Sequence, residues 1–280
     1  MGHVIGAWFE RDVVAVTGKD AAGFLQGQLS QDVAALPVGG SAWSLLLQPT
    51  GRLVAWLRVT RDGEASFRLD VAAGWAEAVV ERLSRFKIRV DVEMTEVDGG
   101  RMLSVRGVDA VTAGAVDPLP APGSSVGVVG YDLVGADAIE PDGIVIDADS
   151  VEEHRVRHGV PEMGAELDDT VIPAEMGTWF VEESVSWTKG CYTGQELVAR
   201  VDSRGSNTPR RLRAVELTGA ASPGAELVDA AGETVGRLTS VFGTAGLAVV
   251  KRSVEPPATV TVAGHEAVVR ELVSGSAPTP

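Results

Sequence analysis

Short apolar runs broken by turn residues set the order of elements along the chain. Val13-Val14-Ala15-Val16-Thr17 is a β-branched run that stops at Gly18 and predicts a strand. Asp20 stands where a helix N-cap belongs, ahead of Phe24, Leu25, Leu29 and Val33 at helical spacing, and Pro37 with Gly39-Gly40 ends that segment. Ala42–Gln48 and Leu53–Thr60 are strand-like and flank Pro49-Thr50-Gly51-Arg52, a hairpin turn. Arg61-Asp62-Gly63-Glu64 makes the next turn, into a strand over Ser66–Val71. Ala73–Phe86 carries Trp75, Val79, Leu83 and Phe86 along one side of an amphipathic helix. Strands over Ile88–Val97 and Met102–Val105 follow, joined across Asp98-Gly99-Gly100.

Pro118, Pro120, Pro122 and Gly123 predict a long loop that few backbone ladders cross. Ile144-Val145-Ile146-Asp147 reads as a short buried strand. Ser150-Val151-Glu152-Glu153 reads as a capping box opening a helix, whose end is marked by His158, Gly159 and Pro161. After Asn207-Thr208-Pro209 the pattern changes. Leu212–Leu217, Glu226–Val228, Val235–Val241, Leu247–Val250, Thr259–Val262 and Ala267–Leu272 are strand candidates separated by Gly, Pro or Asp turns, with no helix between them. That spacing predicts a small antiparallel barrel. The expected division is an α+β body over 1–206, a barrel over 207–274 and a frayed tail over 275–280.

Composition narrows the function classes. The chain's 280 residues fit two domains at roughly 100–200 residues each. One cysteine precludes an internal disulfide and gives no hint of an oxidising compartment. Met1–Trp8 has no basic segment or long apolar core of a secretory signal, and no apolar run reaches the ~18–20 residues of a membrane span. A cytoplasmic protein without membrane association is the expectation. The formal charge of −15, from 39 acidic against 24 basic residues, disfavours direct nucleic-acid binding.

The single cysteine lies in Lys189-Gly190-Cys191-Tyr192-Thr193-Gly194-Gln195-Glu196. Thr193-Gly194-Gln195-Glu196 reads as a second capping box, with Leu197, Val198 and Val201 suited to the helix that follows. Cys191 then precedes a helix N-terminus, where exposed amides and the dipole favour a thiolate. Lys189 adds a positive charge if its side chain folds the same way, and Gly190 and Gly194 let the backbone bend tightly around the thiol. The plainer alternative is an inert structural cysteine.

Other candidate chemistry is weaker. His154 and His158 have an i,i+4 metal-ligand spacing, but Arg155 and Arg157 stand between them and oppose a cation. Capping or solvated histidines are the better reading, and no metal is expected. An internally held iron–sulfur cluster usually takes ~4 cysteines, which this chain lacks. No nucleophile elbow and no glycine-rich phosphate cradle appears. The tryptophans Trp8, Trp43, Trp56, Trp75, Trp179 and Trp187 read as core anchors unless one lines a cavity.

The octet, continuing to Val198-Ala199-Arg200, resembles the signature of the YgfZ-type folate-binding proteins, of the same superfamily as the glycine cleavage T-protein (aminomethyltransferase). Further blocks resemble that family. They are Val16–Asp20 with Phe24–Val33, Pro49-Thr50-Gly51-Arg52, Arg155-Val156 with Gly159-Val160-Pro161, Ile172-Pro173-Ala174-Glu175, and Val235–Ser240. The resemblance implies an aminomethyltransferase-like fold: two intertwined α/β subdomains and a C-terminal antiparallel β-barrel around a tetrahydrofolate site. It implies work in assembling or repairing [4Fe–4S] proteins, with iron–sulfur assembly or client proteins as partners. On this reading Cys191 is the functional thiol with Lys189 as its catalytic partner. Gly190, Tyr192, Thr193, Gly194, Gln195, Glu196 and Arg200 complete the motif. The resemblance also implies Glu175 as the carboxylate that bonds the pterin ring, with Arg155 lining the same cavity. Arg11 and Val151 stand where some members place tryptophans beside folate, and Trp8 is the candidate replacement. A folate-dependent aminomethyltransferase and a non-catalytic scaffold are the competing readings.

Overall fold

The computed structural model describes residues 4–108, 118–205 and 207–272, so the segment 275–280 lies outside the described residues. The body is built on β1 (Ile5–Thr17), β2 (Ser41–Leu47), β3 (Leu53–Gly63), β4 (Ser66–Ala72), β5 (Glu93–Val97), β6 (Arg101–Arg106), β7 (Leu119–Pro120), β8 (Gly130–Val134) and β9 (Val145–Ile146). Its helices are α1 (Ala21–Gln28), α2 (Ala76–Ser84), α3 (Ala148–His158), α4 (Thr178–Ser184) and α5 (Gln195–Ser203). The strands join in one nine-stranded sheet in the order β2-β3-β4-β1-β6-β8-β7, with β5 and β9 also pairing with β1.

β1 holds the sheet together because it changes neighbours midway. Ile5–Glu10 pairs antiparallel with β6, and Arg11–Thr17 pairs antiparallel with β4. The sequence pattern predicted only Val13–Thr17, since Glu10, Arg11 and Asp12 interrupt the apolar run at this changeover. Asp12 has a local reason to be there: its Oδ2 accepts the N–H groups of Trp75 and Ala76 at 2.8 Å each, capping α2 from a distant strand.

Both faces of β2 are buried, which explains its unbroken Leu45-Leu46-Leu47 run. Leu46 joins a core with Val14, Leu25, Leu29, Leu57, Phe67 and Leu83 beneath α1 and α2. Leu45 and Leu47 face a second core that holds Trp56, Val156, Met176, Phe180 and, from the barrel, Leu212 and Leu247. The barrel is closed and six-stranded, in the order β10 (Arg210–Leu217), β13 (Ala245–Lys251), β12 (Thr234–Phe242), β11 (Glu226–Val228), β14 (Ala258–Val262), β15 (His265–Arg270). Closure pairs every strand on both sides and buries a separate core of Val215, Leu227, Leu238, Val260 and Val269. The fold is thus mixed α/β with the antiparallel barrel the sequence predicted.

Several local expectations are corrected. α3 begins at Ala148, and its cap is Asp147, whose Oδ1 accepts from the Ser150 N–H at 3.1 Å, so Ser150 is a donor to the cap and not the cap itself. Its C-terminal end agrees with the pattern, because Gly159 takes a left-handed φ of 67°. Asp20 does not cap α1 with its side chain; its Oδ2 accepts from the Asp91 N–H at 2.8 Å. β9 is half-exposed, not buried, because it pairs with β1 alone. Only Glu93–Val97 of the expected Ile88–Val97 strand is extended, and Ile88 is 71% exposed. No helix among the described residues is long and apolar enough to cross a membrane.

Candidate functional site

The octet forms the loop between α4 and α5, and its shape comes from what it sits on. Lys189 Nζ donates to the carbonyl oxygens of Gln26 at 2.6 Å, Leu29 at 2.7 Å and Gln31 at 2.9 Å. An ammonium has three N–H donors, so all are taken up by the C-terminal end of α1 and the chain just beyond it. Burial pulls the Lys189 pKa down to about 8, against the opposing charge of Asp32. Thr193 N–H donates to the Gly27 carbonyl at 3.1 Å. Gly194 takes a left-handed φ of 87° and packs on the β2–β3 turn. A Cβ there would stand 2.6 Å from the Gln48 oxygen. Gly51, in that turn, has φ 81°, and a Cβ there would stand 2.4 Å from the Leu197 Cβ. Tyr192 is buried in the second core, and burial pushes its phenol pKa up to about 12.

Cys191 therefore stands exposed between two fastened ends. Gly190 beside it would meet no atom within 4 Å if it carried a side chain. Two expectations change here. The capping box does not form: Gly194 is the N-cap of α5, Thr193 turns to α1, and the Gln195 Oε1 accepts from the Tyr192 N–H at 3.2 Å. Lys189, expected as the thiol's partner, has its three donors on the carbonyls of Gln26, Leu29 and Gln31. Glu196 and Arg200 lie exposed in the first and last turns of α5.

A cavity of about 370 Å³ opens elsewhere, where β1 changes neighbours, and Cys191 does not line it. Its wall includes Trp43, Trp56, Met102, Val151 and Met163, with Arg11, Asp132, Arg155 and Glu162 as polar groups. Trp43 and Trp56 stack with centroids 4.3 Å apart, and the Arg58 guanidinium lies 4.5 Å from the Trp43 ring. Asp132 is fully buried and accepts from Arg58 Nη2 at 2.5 Å, Arg106 Nη1 at 3.0 Å and Ser104 Oγ at 2.8 Å. Burial opposes its ionisation, yet Arg106, Arg58 and Ser104 together hold its pKa below the usual carboxylate value. Trp43 Nε1 and the Nε and Nη1 of Arg58 are buried with no hydrogen-bond partner among the described residues. Unpaired donors of this kind are costly and mark where an acceptor is welcome.

Arg155 lines this cavity, but its guanidinium is saturated. Nε and Nη2 clasp Glu152 at 2.7 Å each, Nη1 reaches Val160 O at 2.9 Å and Glu166 at 3.1 Å, and Nη2 also reaches Ser240 Oγ at 2.7 Å. It joins α3 to barrel strand β12 and has no donor left for a ligand. Glu175 is not in this cavity. Its carboxylate is 1% exposed at the residue level and is gripped by Arg210, Nε to Oε1 at 3.2 Å and Nη2 to Oε2 at 2.9 Å. It fastens the body to β10, so the expectation that it shares a site with Arg155 does not hold. Trp8 is also absent from the wall; Arg101 lies over its ring at 4.5 Å in a neighbouring groove. Arg11 and Val151 do line the cavity. His154 and His158 stack at 3.9 Å, with His158 Nδ1 2.8 Å from the His154 carbonyl.

The tryptophan pair and the Arg58–Asp132 pair were not singled out by sequence reasoning. The pair Trp43 and Trp56 was within reach: once Pro49–Arg52 is the turn, Leu45 faces Trp56 and Trp43 faces Arg58, which puts all three large side chains on one face.

Comparison with known proteins agrees with this architecture. The profile described as CAF17, C-terminal beta-barrel domain, matches residues 210–271. The iron–sulfur cluster assembly factor IBA57, mitochondrial, of Mus musculus is 30% identical over 279 residues, covering 86% of this chain and 75% of the relative. The tRNA-modifying protein YgfZ of Edwardsiella ictaluri is 27% identical over 218 residues, covering 69% and 65%. Among solved structures, the glycine cleavage system aminomethyltransferase T from Bartonella henselae superposes with a TM-score of 0.73 over 98% of this chain and 87% of the other, at 17% identity. That likeness is one of fold.

Proposed function

Because this chain belongs to the CAF17/IBA57/YgfZ family, we propose that it is a tetrahydrofolate-binding protein that supports assembly or repair of iron–sulfur, particularly [4Fe–4S], proteins through Cys191. The observation that carries the reading is the loop geometry: the only cysteine is exposed, on a segment fastened on both sides. A lone thiol supplies one of the roughly four cysteine ligands a cluster takes. The cluster is therefore cargo, held between Cys191 and a partner that brings the remaining ligands, and iron–sulfur assembly or client proteins are those partners.

Tetrahydrofolate belongs to the cavity on this reading. At about 370 Å³ the cavity falls in the range of about 300–1,000 Å³ usual for small-molecule sites. Its apolar wall suits a flat ring, and the orphaned indole N–H of Trp43, which lines it, suits a ligand with acceptors. Bound there, tetrahydrofolate supplies a reduced pterin that carries one-carbon units. The chain's own part is to bind and orient it: Trp43 and Trp56 form one wall, and Arg155 ties α3, on another side of the cavity, to the barrel.

The test is genetic and biochemical. A strain lacking the gene is expected to lose [4Fe–4S] enzyme activity under oxidative stress, with recovery by the wild-type gene and none by Cys191→Ala. Full recovery by Cys191→Ala overturns the role of the thiol. Robust formation of methylene-tetrahydrofolate from an aminomethyl-lipoyl carrier protein would replace the assembly reading with one-carbon transfer.

A further inference from the structure

A second, much smaller pocket of about 70 Å³ opens between α4, α5 and the Pro173–Met176 turn, and Trp187, at the start of the cysteine loop, forms one edge of it. Small-molecule sites begin at roughly 300 Å³, so this one has room for a single side chain and not for a cofactor. Its floor is apolar: Pro173, Val181, Val198 and Val201 line it. Two carboxylates stand over that floor from different helices, Glu182 on α4 and Asp202 on α5. Both are exposed, and neither carboxylate has a hydrogen bond or ion pair among the described residues. No cation lines the pocket. Arg200 falls on the other side of α5, since Val198, Val201 and Asp202 share one helical face.

Trp187 is 49% exposed, yet the chain that carries it is pinned on both sides. The Ser186 N–H donates to the Ser30 carbonyl at 3.0 Å, and two residues further on Lys189 grips its three carbonyls. An indole is thus presented to solvent at a fixed place beside two unpaired carboxylates. Trp187 and Cys191 are four residues apart, so their Cα atoms lie within about 14 Å of each other. One interface of ordinary size covers both.

We propose that this pocket receives an arginine side chain from the partner protein that meets Cys191, with its methylene stem on the valine floor and its guanidinium stacked on Trp187 and bonded to Glu182 and Asp202. Guanidinium is the group that stacks flat on an indole while its remaining N–H groups fork to carboxylates. An apolar side chain in the same place strips water from two carboxylates and gives them nothing in return. The formal charge of −15 draws such a basic partner towards this face. That the partner carries iron–sulfur ligands rests on the function proposed above, whereas the chemistry of the pocket does not.

Nuclear magnetic resonance titration tests the pocket directly. The probes are the blocked tripeptide acetyl-Gly-Arg-Gly-amide and its citrulline counterpart, which keeps the shape and removes the charge. The Trp187 indole resonance is the one of six that is missing from Trp187→Phe. The arginine peptide is expected to shift that resonance in wild type and to bind the Glu182→Gln/Asp202→Asn variant at least roughly tenfold more weakly, the scale of lost charge-assisted hydrogen bonds. An unmoved Trp187 resonance overturns the inference. So does equal binding of the two peptides by wild type, an outcome that needs no variant. In the strain lacking the gene, Glu182→Lys/Asp202→Lys is expected to fail to restore [4Fe–4S] enzyme activity. Full restoration by that variant, while Cys191→Ala fails, overturns the inference and leaves the proposed function standing. Full restoration by Cys191→Ala, with the peptide result as expected, removes the role of the thiol and keeps the arginine pocket.

Discussion

The ammonium of Lys189 lies 2.7 Å from the carbonyl oxygen of Leu29, the residue that closes α1, and so the cysteine loop is tied to the amino-terminal helix. Lys189→Met keeps the length of the side chain and removes every donor, leaving three partly buried carbonyls unpaired. A loss of about 2–3 kcal/mol is expected in urea unfolding. Iodoacetamide labelling of Cys191 in the folded variant is expected to change in rate, since the loop loses its fastening. Unchanged stability would refute the clamp.

Gly194 and Gly190 flank the same thiol and are expected to respond oppositely to alanine. At Gly194 the left-handed backbone and the Gln48 oxygen both resist a Cβ, and Gly194→Ala is expected to cost about 2 kcal/mol or more. At Gly190 the space is open, and Gly190→Ala is expected to stay within about 0.5–1 kcal/mol of wild type. Thermal melts of the two variants make the comparison.

Glu175 is buried against Arg210, whose side chain is 40% exposed. Glu175→Gln removes the charge from one side of the pair, and a loss of about 2 kcal/mol is expected. Its affinity for tetrahydrofolate is expected to remain within about twofold of wild type, because the residue lies outside the cavity. A large affinity loss with intact stability would return Glu175 to the ligand.

His154 gives an acid-sensitive term. Burial, followed by the positive fields of His158 and Arg106, lowers its pKa from 6.5 to about 4. Between those values the unfolded chain binds a proton that the folded chain refuses. Stability is therefore whole above pH 6.5 and falls as pH drops towards 4. Allowing for partial solvent screening, the loss attributable to this residue is about 1–2 kcal/mol. His154→Gln is expected to flatten that part of the pH–stability curve.

These residues also show which parts of the structure the sequence made legible. The β2–β3 hairpin and the barrel strands were readable because turn residues and period-two alternation are local properties. The octet's importance was readable, but its geometry was not. Thr193-x-x-Glu196 satisfied the rule for a capping box, yet Gly27 and Gln28 compete for the same threonine, and they come from a distant segment. Glu175 on its Pro173–Met176 turn was recognisable as a placed carboxylate, whereas the arrival of Arg210 beside it is a fact of barrel docking. β8 escaped notice because a proline-rich loop precedes it and the charged Asp132 interrupts its apolar run. That same interruption is what places a charge at the wall of the cavity.

The seat of the thiol loop is made of residues 26–31 and 47–51, and the loop that occupies it starts at Lys189, 158 to 163 positions after the carbonyls it grips. In the order of synthesis the segments of the seat come long before their occupant. A chain that stops short of Lys189 contains β2, β3 and α1, but it has no cysteine to display. Presentation of the thiol thus comes only when synthesis of the body is almost finished, and a product truncated before Lys189 carries no thiol at all.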